Sequence, residues 1–212
     1  HLTCVGNRRD EILERCRELE EHGITHVLAL RGDRPRDMSE EQYQTREFAH
    51  ATDLIRFIRE NSSLQILAAC YPEKHCEAKS LEEDLAYLKE KQELGAEGFI
   101  SQMFFDNHCF ETFCEKAEKA GITKPIHAGL MPITSANQLG TSVSLSGSSV
   151  PKELADLIAR YGDSPEDMYK AGIDYAVRQI EGLSGIGTEG IHLYTMNKPK
   201  VARDIMQGIG VR

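Results

Sequence analysis

No apolar stretch in these 212 residues approaches the roughly 20 needed to span a bilayer, and no charged-then-apolar leader opens the chain. The expectation is a cytoplasmic protein without a membrane partner. Positive charge is scarce as well: 25 Lys and Arg against 34 Asp and Glu give a formal net charge of −9. Nucleic acid is not drawn to such a field, so any substrate has to be recognised locally. Six cysteines occur without a CxxC pair, which argues against a disulfide framework. GxxxxGK is absent, and GxGxxG occurs only at Gly185 to Gly190, after a helical pattern and ahead of an apolar run, which is the reverse of the strand-to-helix order that the glycine fingerprint of a doubly wound nucleotide-binding sheet requires. HExxH and a recognisable Ser/His/Asp ordering are missing too, so zinc or nucleophilic hydrolysis has little support.

Six short apolar runs stand out against these absences, each ending in polar, chemically capable residues. They are HLTC (His1 to Cys4), HVLALRGD (His26 to Asp33), QILAACYPEKH (Gln65 to His75), GFISQMFFD (Gly98 to Asp106), PIHAGLMPIT (Pro125 to Thr134) and GIHLYTMN (Gly190 to Asn197). Helical periodicity fills the gaps between them. Arg9 to Glu21 sets Ile12, Leu13, Cys16 and Leu19 on one face, with Gly23 as a stop. Glu41 to Glu60 carries an apolar stripe of Phe48, Leu54, Ile55, Phe57 and Ile58 and is expected to be one helix. Ser80 with Glu83 reads as a capping box ahead of Leu85, Leu88 and Leu94. Asn107 to Gly121 repeats the scheme. Leu139 to Pro151, rich in Gly and Ser, reads as a mobile connector, and further helices are expected near 150–161, over 164–183 and from about Lys198.

Strand and helix alternating in this way call for a parallel sheet. With no glycine fingerprint between a strand and the helix after it, a βα barrel is preferred over an open doubly wound sheet, as a single domain spanning residues 1–212. In a barrel, polar residues just past each strand's C-terminal end face the active site. The candidates are Arg31, Asp33, Tyr71, His75, Gln102, Asp106, Thr134, Gln138, Tyr194, Asn197 and Lys198. This set of hydrogen-bonding groups, a planar ring and a carboxylate suits a flat heterocycle. Asp33 closes an apolar run and is expected at the edge of low-dielectric surroundings, either acting on a ligand or else capping the following segment or pairing with Arg31 or Arg34. Gln102 falls within an apolar strand, where an amide is costly without a partner. The adjacent pairs His75-Cys76 and His108-Cys109 would make a metal site only if separate loops brought them together.

The ordered strings HLTC, ALRGD, AACYPEKHCEAKS, SQMFFD, AGLMPIT and HLYTMN resemble the successive signatures of methylenetetrahydrofolate reductases along essentially the whole chain. The resemblance implies a (β/α)8 barrel that binds FAD non-covalently and reduces 5,10-methylenetetrahydrofolate to 5-methyltetrahydrofolate by a ping-pong route. Electrons come from NADH or NADPH, and the reaction serves one-carbon and methionine metabolism. It implies flavin contacts from His1, Arg31, Gly32, Asp33, Ala51, Tyr71, His75, Ala78, Asp84, Tyr87 and Lys91. Asp33 would act electrostatically on the pterin, Gln102 and Gln138 would hold folate or nicotinamide, and Lys198 would reach the folate. The family pattern has two further βα units before HLTC, so about six of eight units are expected here. No residue of this chain matches the family's general-acid glutamate. Opened sheet edges would favour self-association or a partner chain. Competing readings are a noncatalytic flavin- or folate-binding fragment, and a metal-dependent barrel hydrolase using His75, Cys76, His108 and Cys109.

Overall fold

The strands form where β-branched and aliphatic runs are bounded by turn residues, and in a computed structural model they join one six-stranded sheet in the order β1-β2-β3-β4-β5-β6. The structure describes residues 1–186 and 188–211. The strands are β1 (Leu2–Thr3), β2 (His26–Leu30), β3 (Gln65–Cys70), β4 (Ala96–Ser101), β5 (Ile126–Leu130) and β6 (Gly190–Leu193). Helices α1 (Arg9–Glu21), α2 (Glu40–Gln44), α3 (Ala51–Asn61), α4 (Leu81–Glu93), α5 (Asn107–Lys119), α6 (Ala136–Ser146), α7 (Lys152–Tyr161), α8 (Pro165–Ser184) and α9 (Pro199–Gly208) alternate with them. The β1–β2, β2–β3 and β5–β6 pairings are parallel. Sequential order is that of the (β/α)8 barrel, whereas a doubly wound sheet reverses direction from an internal strand.

Two compact units are present, one comprising His1–Ala69, Leu85–Phe99 and Ala120–Pro125, the other Cys70–Asp84, Ile100–Lys119 and Ile126–Arg212. In the first, Ile12 and Cys16 of α1, Leu54, Ile55 and Ile58 of α3, and Val27, Ala29, Ile66 and Ala68 of the strands are buried. The Gln92 carboxamide closes the turn into β5, accepting from Thr123 N at 2.8 Å and Lys124 N at 3.1 Å while donating to Gly121 O at 3.2 Å. In the second unit, Ala128 and Leu130 of β5 pack with Phe104, Phe110, Ile173, Ala176, Ile180, Val201 and Ile205. A smaller cluster of Met103, Phe105, Ile133, Leu154 and Met168 lies under α7 and α8. A Cβ at Gly172 would fall 1.9 Å from the Ile133 carbonyl, so α8 approaches the turn after β5 backbone to backbone.

Two expected elements are corrected. The span Glu41 to Glu60 is not one helix: α2 ends at Gln44 and α3 starts at Ala51. The intervening bend is held by Asp53, whose Oδ2 accepts from Ala49 N and His50 N, each at 2.9 Å, so an N-terminal cap interrupts the apolar stripe. The stretch from Leu139 is no loose connector, because residues up to Ser146 belong to α6. Ser146 Oγ donates to Ser142 O at 2.9 Å, satisfying its hydroxyl inside the helix. Gly147 then ends it in a left-handed conformation at φ 71°, donating to Val143 O at 2.8 Å. Among the described residues no helix is long and apolar enough to cross a membrane.

Candidate active site

Strand ends position the candidate side chains, each unit contributing its own set. In the first unit His1 is exposed just before β1, Arg31 and Gly32 are half-buried after β2, and Ala51 opens α3. Asp33 is exposed, and Arg34 pairs with Glu40 rather than with it, so the expectation of low-dielectric surroundings is not met. Its carboxylate lies beyond the apolar run that raised the expectation, in a loop whose neighbours Arg34, Pro35 and Arg36 are also exposed. Gly32 holds φ +85°, and a Cβ there would sit 2.8 Å from Val5 Cγ1, so only glycine lets the chain turn this close to the end of β1. On α4, Tyr87 is 49% exposed, unusual for a large ring, while Lys91 is buried with its Nζ donating to Ala69 O at 2.8 Å.

In the second unit the YPEKH turn is held from all sides. Lys74 takes φ 66°, its N donates to Tyr71 O at 3.1 Å and its Nζ to Ala78 O at 2.9 Å. His75 N donates to Asp84 Oδ2 at 2.7 Å, and the imidazole meets the Tyr71 ring edge-on at 4.7 Å between centroids. Glu77 N donates to His75 Nδ1 at 3.1 Å, which places the proton of the neutral ring on Nε2. Ala78 is buried.

Gln102 stands one residue beyond β4 rather than within it, half-buried. Its backbone N donates to Cys70 O at 2.7 Å and its Oε1 accepts from Met103 N at 2.9 Å, so the amide oxygen is satisfied locally. Ser101, buried, accepts from Gly129 N at Oγ (2.8 Å) and donates from Oγ to Gln102 O (3.0 Å), while Tyr194 Oη donates to Ser101 O at 2.8 Å. Burial, with a smaller effect from Cys70, pushes the Tyr194 hydroxyl up to about 12, so it stays a donor at ordinary pH. The brace formed by Ser101, Gly129 and Tyr194 was not legible beforehand. Its one signal was a second polar residue beside Gln102 in the apolar string FISQMFF.

Gln138 is engaged within its own turn, Oε1 accepting from Thr134 N at 3.1 Å and Nε2 donating to Pro132 O at 2.9 Å. Lys198 is exposed at the head of α9, just after Met196 and Asn197, two consecutive left-handed residues at φ 49° and 61°. Asp106 accepts at Oδ1 from His108 N at 2.9 Å, an ordinary turn role. Among the described residues no three His, Cys, Asp or Glu side chains gather as a metal ion requires. The Cys109 thiol is pushed up by burial and then by Glu73 and Asp106, which disfavours the thiolate a metal would need.

The fold and the strand-end motifs can be set beside known proteins. The family profile described as methylenetetrahydrofolate reductase matches residues 1–210. The chain is similar to the 5,10-methylenetetrahydrofolate reductase of Pectobacterium carotovorum, 32% identical over 212 residues, covering all of this chain and 69% of that protein. It is 32% identical to the Escherichia coli protein of the same name, covering 70% of it. The probable methylenetetrahydrofolate reductase (NADPH) of Caenorhabditis elegans is 34% identical over 214 residues, which make up 32% of its length. Among solved structures, an uncharacterised Clostridium thermocellum protein that binds two copies of 5-methyl-5,6,7,8-tetrahydrofolic acid shares the fold, with a TM-score of 0.64 and 16% identity. The match covers 98% of this chain and 70% of that one. With a parallel sheet in sequential order, the signature strings at its strand ends and identity sustained over the full span, the chain belongs to the methylenetetrahydrofolate reductase family, a family of oxidoreductases.

Proposed function

We propose that the chain forms a single flavin-binding βα-barrel catalytic domain that reduces 5,10-methylenetetrahydrofolate to 5-methyltetrahydrofolate with electrons from NADH or NADPH. The observation that carries this reading is the run of family signatures in order, each at the C-terminal end of a strand. The residues present fit a flavin. Gly32 leaves a backbone uncovered by any Cβ, with the Arg31 guanidinium beside it in the first unit. Tyr71 and His75 form a rigid ring pair in the second, with His75 Nε2 as a donor. Rings, cations and uncovered backbone are the chemistry that a ring system joined to a pyrophosphate requires.

When bound, FAD supplies the hydride relay by which a reduced nicotinamide nucleotide and then the folate react in turn, a ping-pong order. The protein's own part is to bind and orient. His1, Arg31, Gly32, Asp33, Ala51, Tyr71, His75, Ala78, Asp84, Tyr87 and Lys91 are assigned to the flavin. Asp84, by fixing the His75 backbone, sets the turn that carries the ring pair. Gln102 aligns the folate through its amide, and Gln138 joins it by exchanging part of its turn bonding. The exposed Lys198 ammonium reaches toward the folate. Asp33 places a negative charge that favours the electron-poor iminium form of the folate.

An absorbance spectrum of the purified chain tests the whole reading: a yellow chromophore that bleaches with NADH or NADPH is expected. A preparation that stays colourless after reconstitution with FAD would overturn it. For Asp33, the Asp33→Asn variant should lose folate reduction by roughly 100-fold while flavin affinity changes little, measured as separate stopped-flow half-reactions. Equal loss in both measurements removes the assignment.

A further inference from the structure

The two peptide groups flanking the Gln102 Cα have all four of their polar atoms held. On the N-terminal side, Ser101 O accepts from Tyr194 Oη at 2.8 Å and Gln102 N donates to Cys70 O at 2.7 Å. On the C-terminal side, Gln102 O accepts from Ser101 Oγ at 3.0 Å and Met103 N donates to Gln102 Oε1 at 2.9 Å. A residue whose flanking peptide planes are both pinned has its Cα–Cβ direction fixed. Because Met103 N–H takes the amide oxygen, the other end of the carboxamide, Nε2, is the one presented as a donor.

Tyr194 makes this arrangement from two strands away in the sheet order. Its Oη reaches from the end of β6 across β5 to the end of β4, and the space for it is made by Gly129. A Cβ at that position would lie 2.9 Å from Tyr194 Cε2 and 2.0 Å from Ser101 O. The Gly129 N–H in turn fixes the Ser101 hydroxyl at 2.8 Å, so the oxygen that holds Gln102 O is itself oriented. The Tyr194 ring is steadied from the other side by an edge-on contact with His192 at 4.8 Å between centroids. None of these bonds is needed for strand pairing, which β5 and β6 achieve through their own register from His127 to Leu130.

We propose that Tyr194, acting through the Ser101 peptide and supported by the Ser101 hydroxyl, is a positioning residue that sets the direction of the Gln102 carboxamide toward the folate. The proposal rests on the reading above that Gln102 meets the folate. Removing the phenol hydroxyl would leave the buried Ser101 carbonyl without its partner and release one peptide plane.

Binding of 5-methyltetrahydrofolate to the full, flavin-loaded chain, measured by titration calorimetry, tests it in a double-mutant cycle with Gln102→Ala and Tyr194→Phe. Each single variant is expected to raise Kd about tenfold, with the double variant no weaker than Gln102→Ala alone. Additive losses would overturn the positioning role, since a tyrosine acting independently of Gln102 would penalise both backgrounds. An unchanged Kd in Gln102→Ala, or no binding by the unaltered chain, would overturn the underlying reading of Gln102 instead. Amide hydrogen exchange, which needs no ligand, then decides the positioning claim by itself. Exchange at Gln102 N–H should be about tenfold faster in Tyr194→Phe, with the α8 amides unaffected. Unchanged exchange at Gln102 would overturn it. Ser101→Ala, which removes only the hydroxyl, should show the same coupling to Gln102 and substitutes if Tyr194→Phe fails to fold.

Discussion

Gly32 shows how a single position can decide whether a strand end is usable. Its φ of +85° lies in the left-handed region, and the Cβ of any other residue would sit 2.8 Å from Val5 Cγ1 and 3.1 Å from Thr3 Cβ. Gly32→Ala therefore combines backbone strain with a clash and should cost about 2–3 kcal/mol. Urea denaturation checks it: the midpoint should fall with the slope unchanged. The family resemblance marks Gly32 as a flavin contact, but the two side chains opposing it are not legible locally, because Thr3 and Val5 lie far back in the chain. Gln102 shows the same division. The sequence marks it as an amide out of place among FIS and MFF, whereas the bond that satisfies the amide oxygen comes from Met103 N and its backbone N–H is taken by Cys70 O. Asp33, whose charge is unambiguous in the sequence, lies in the exposed part of its loop, a matter of path and not of composition.

At the scale of elements, local rules succeeded where a signal and its partner lie within one turn. Helix α1 covers the span that the spacing of Ile12, Cys16 and Leu19 indicates. At α4 the expected box forms with a shift: Ser80 Oγ accepts from Glu83 N at 3.2 Å, while Glu83 Oε2 takes Lys79 N at 2.6 Å. Ser80→Ala should lower stability by about 1 kcal/mol, with Ser80→Asp restoring most of it, read from thermal melts by circular dichroism. Local rules failed at α6, whose Gly and Ser content argues for a connector. Ser142 and Ser146 are buried there, and just past the helix end buried Ser148 donates from Oγ to Met103 O at 2.6 Å. Small hydroxyls form a helix when the surroundings supply both acceptors and a close surface, and propensity contains neither. The break between α2 and α3 failed for a related reason, since Asp53 looks like one more polar residue on a helix until its oxygen is seen to close the bend.

At the scale of the whole molecule, strands drawn from the entire chain form one parallel sheet, and side chains that no local pattern connects become neighbours across it. His127 and His192 are an example. Register places His127 opposite Gly190 and Gly129 opposite His192, putting the two histidines diagonally on adjacent strands. Burial, and then the neighbouring His127, lowers the His192 value from 6.5. The folded state thus binds fewer protons than the unfolded chain at mildly acid pH. The contribution is fully present above about pH 6.5 and is lost as pH falls from there toward the lowered folded value. Stability measured by denaturant midpoint should fall as pH drops below about 6.5. His192→Gln should flatten that slope, and an unaltered slope would assign the acid sensitivity elsewhere.

Composition and periodicity alone determined the class of this protein: alternating strand and helix, no glycine fingerprint in a strand-to-helix turn and polar residues waiting at six strand ends. Those are short-range properties, encoded in the spacing of apolar residues along the chain. Tertiary structure decided which of the polar ends are held and in what direction, because a hydrogen bond from Tyr194 to the carbonyl of Ser101 joins residues 93 apart in sequence. Nothing in the neighbourhood of either residue along the chain specifies that meeting. Parallel pairing brings the strand tips to one edge, and the missing Cβ of Gly129 leaves room for the ring.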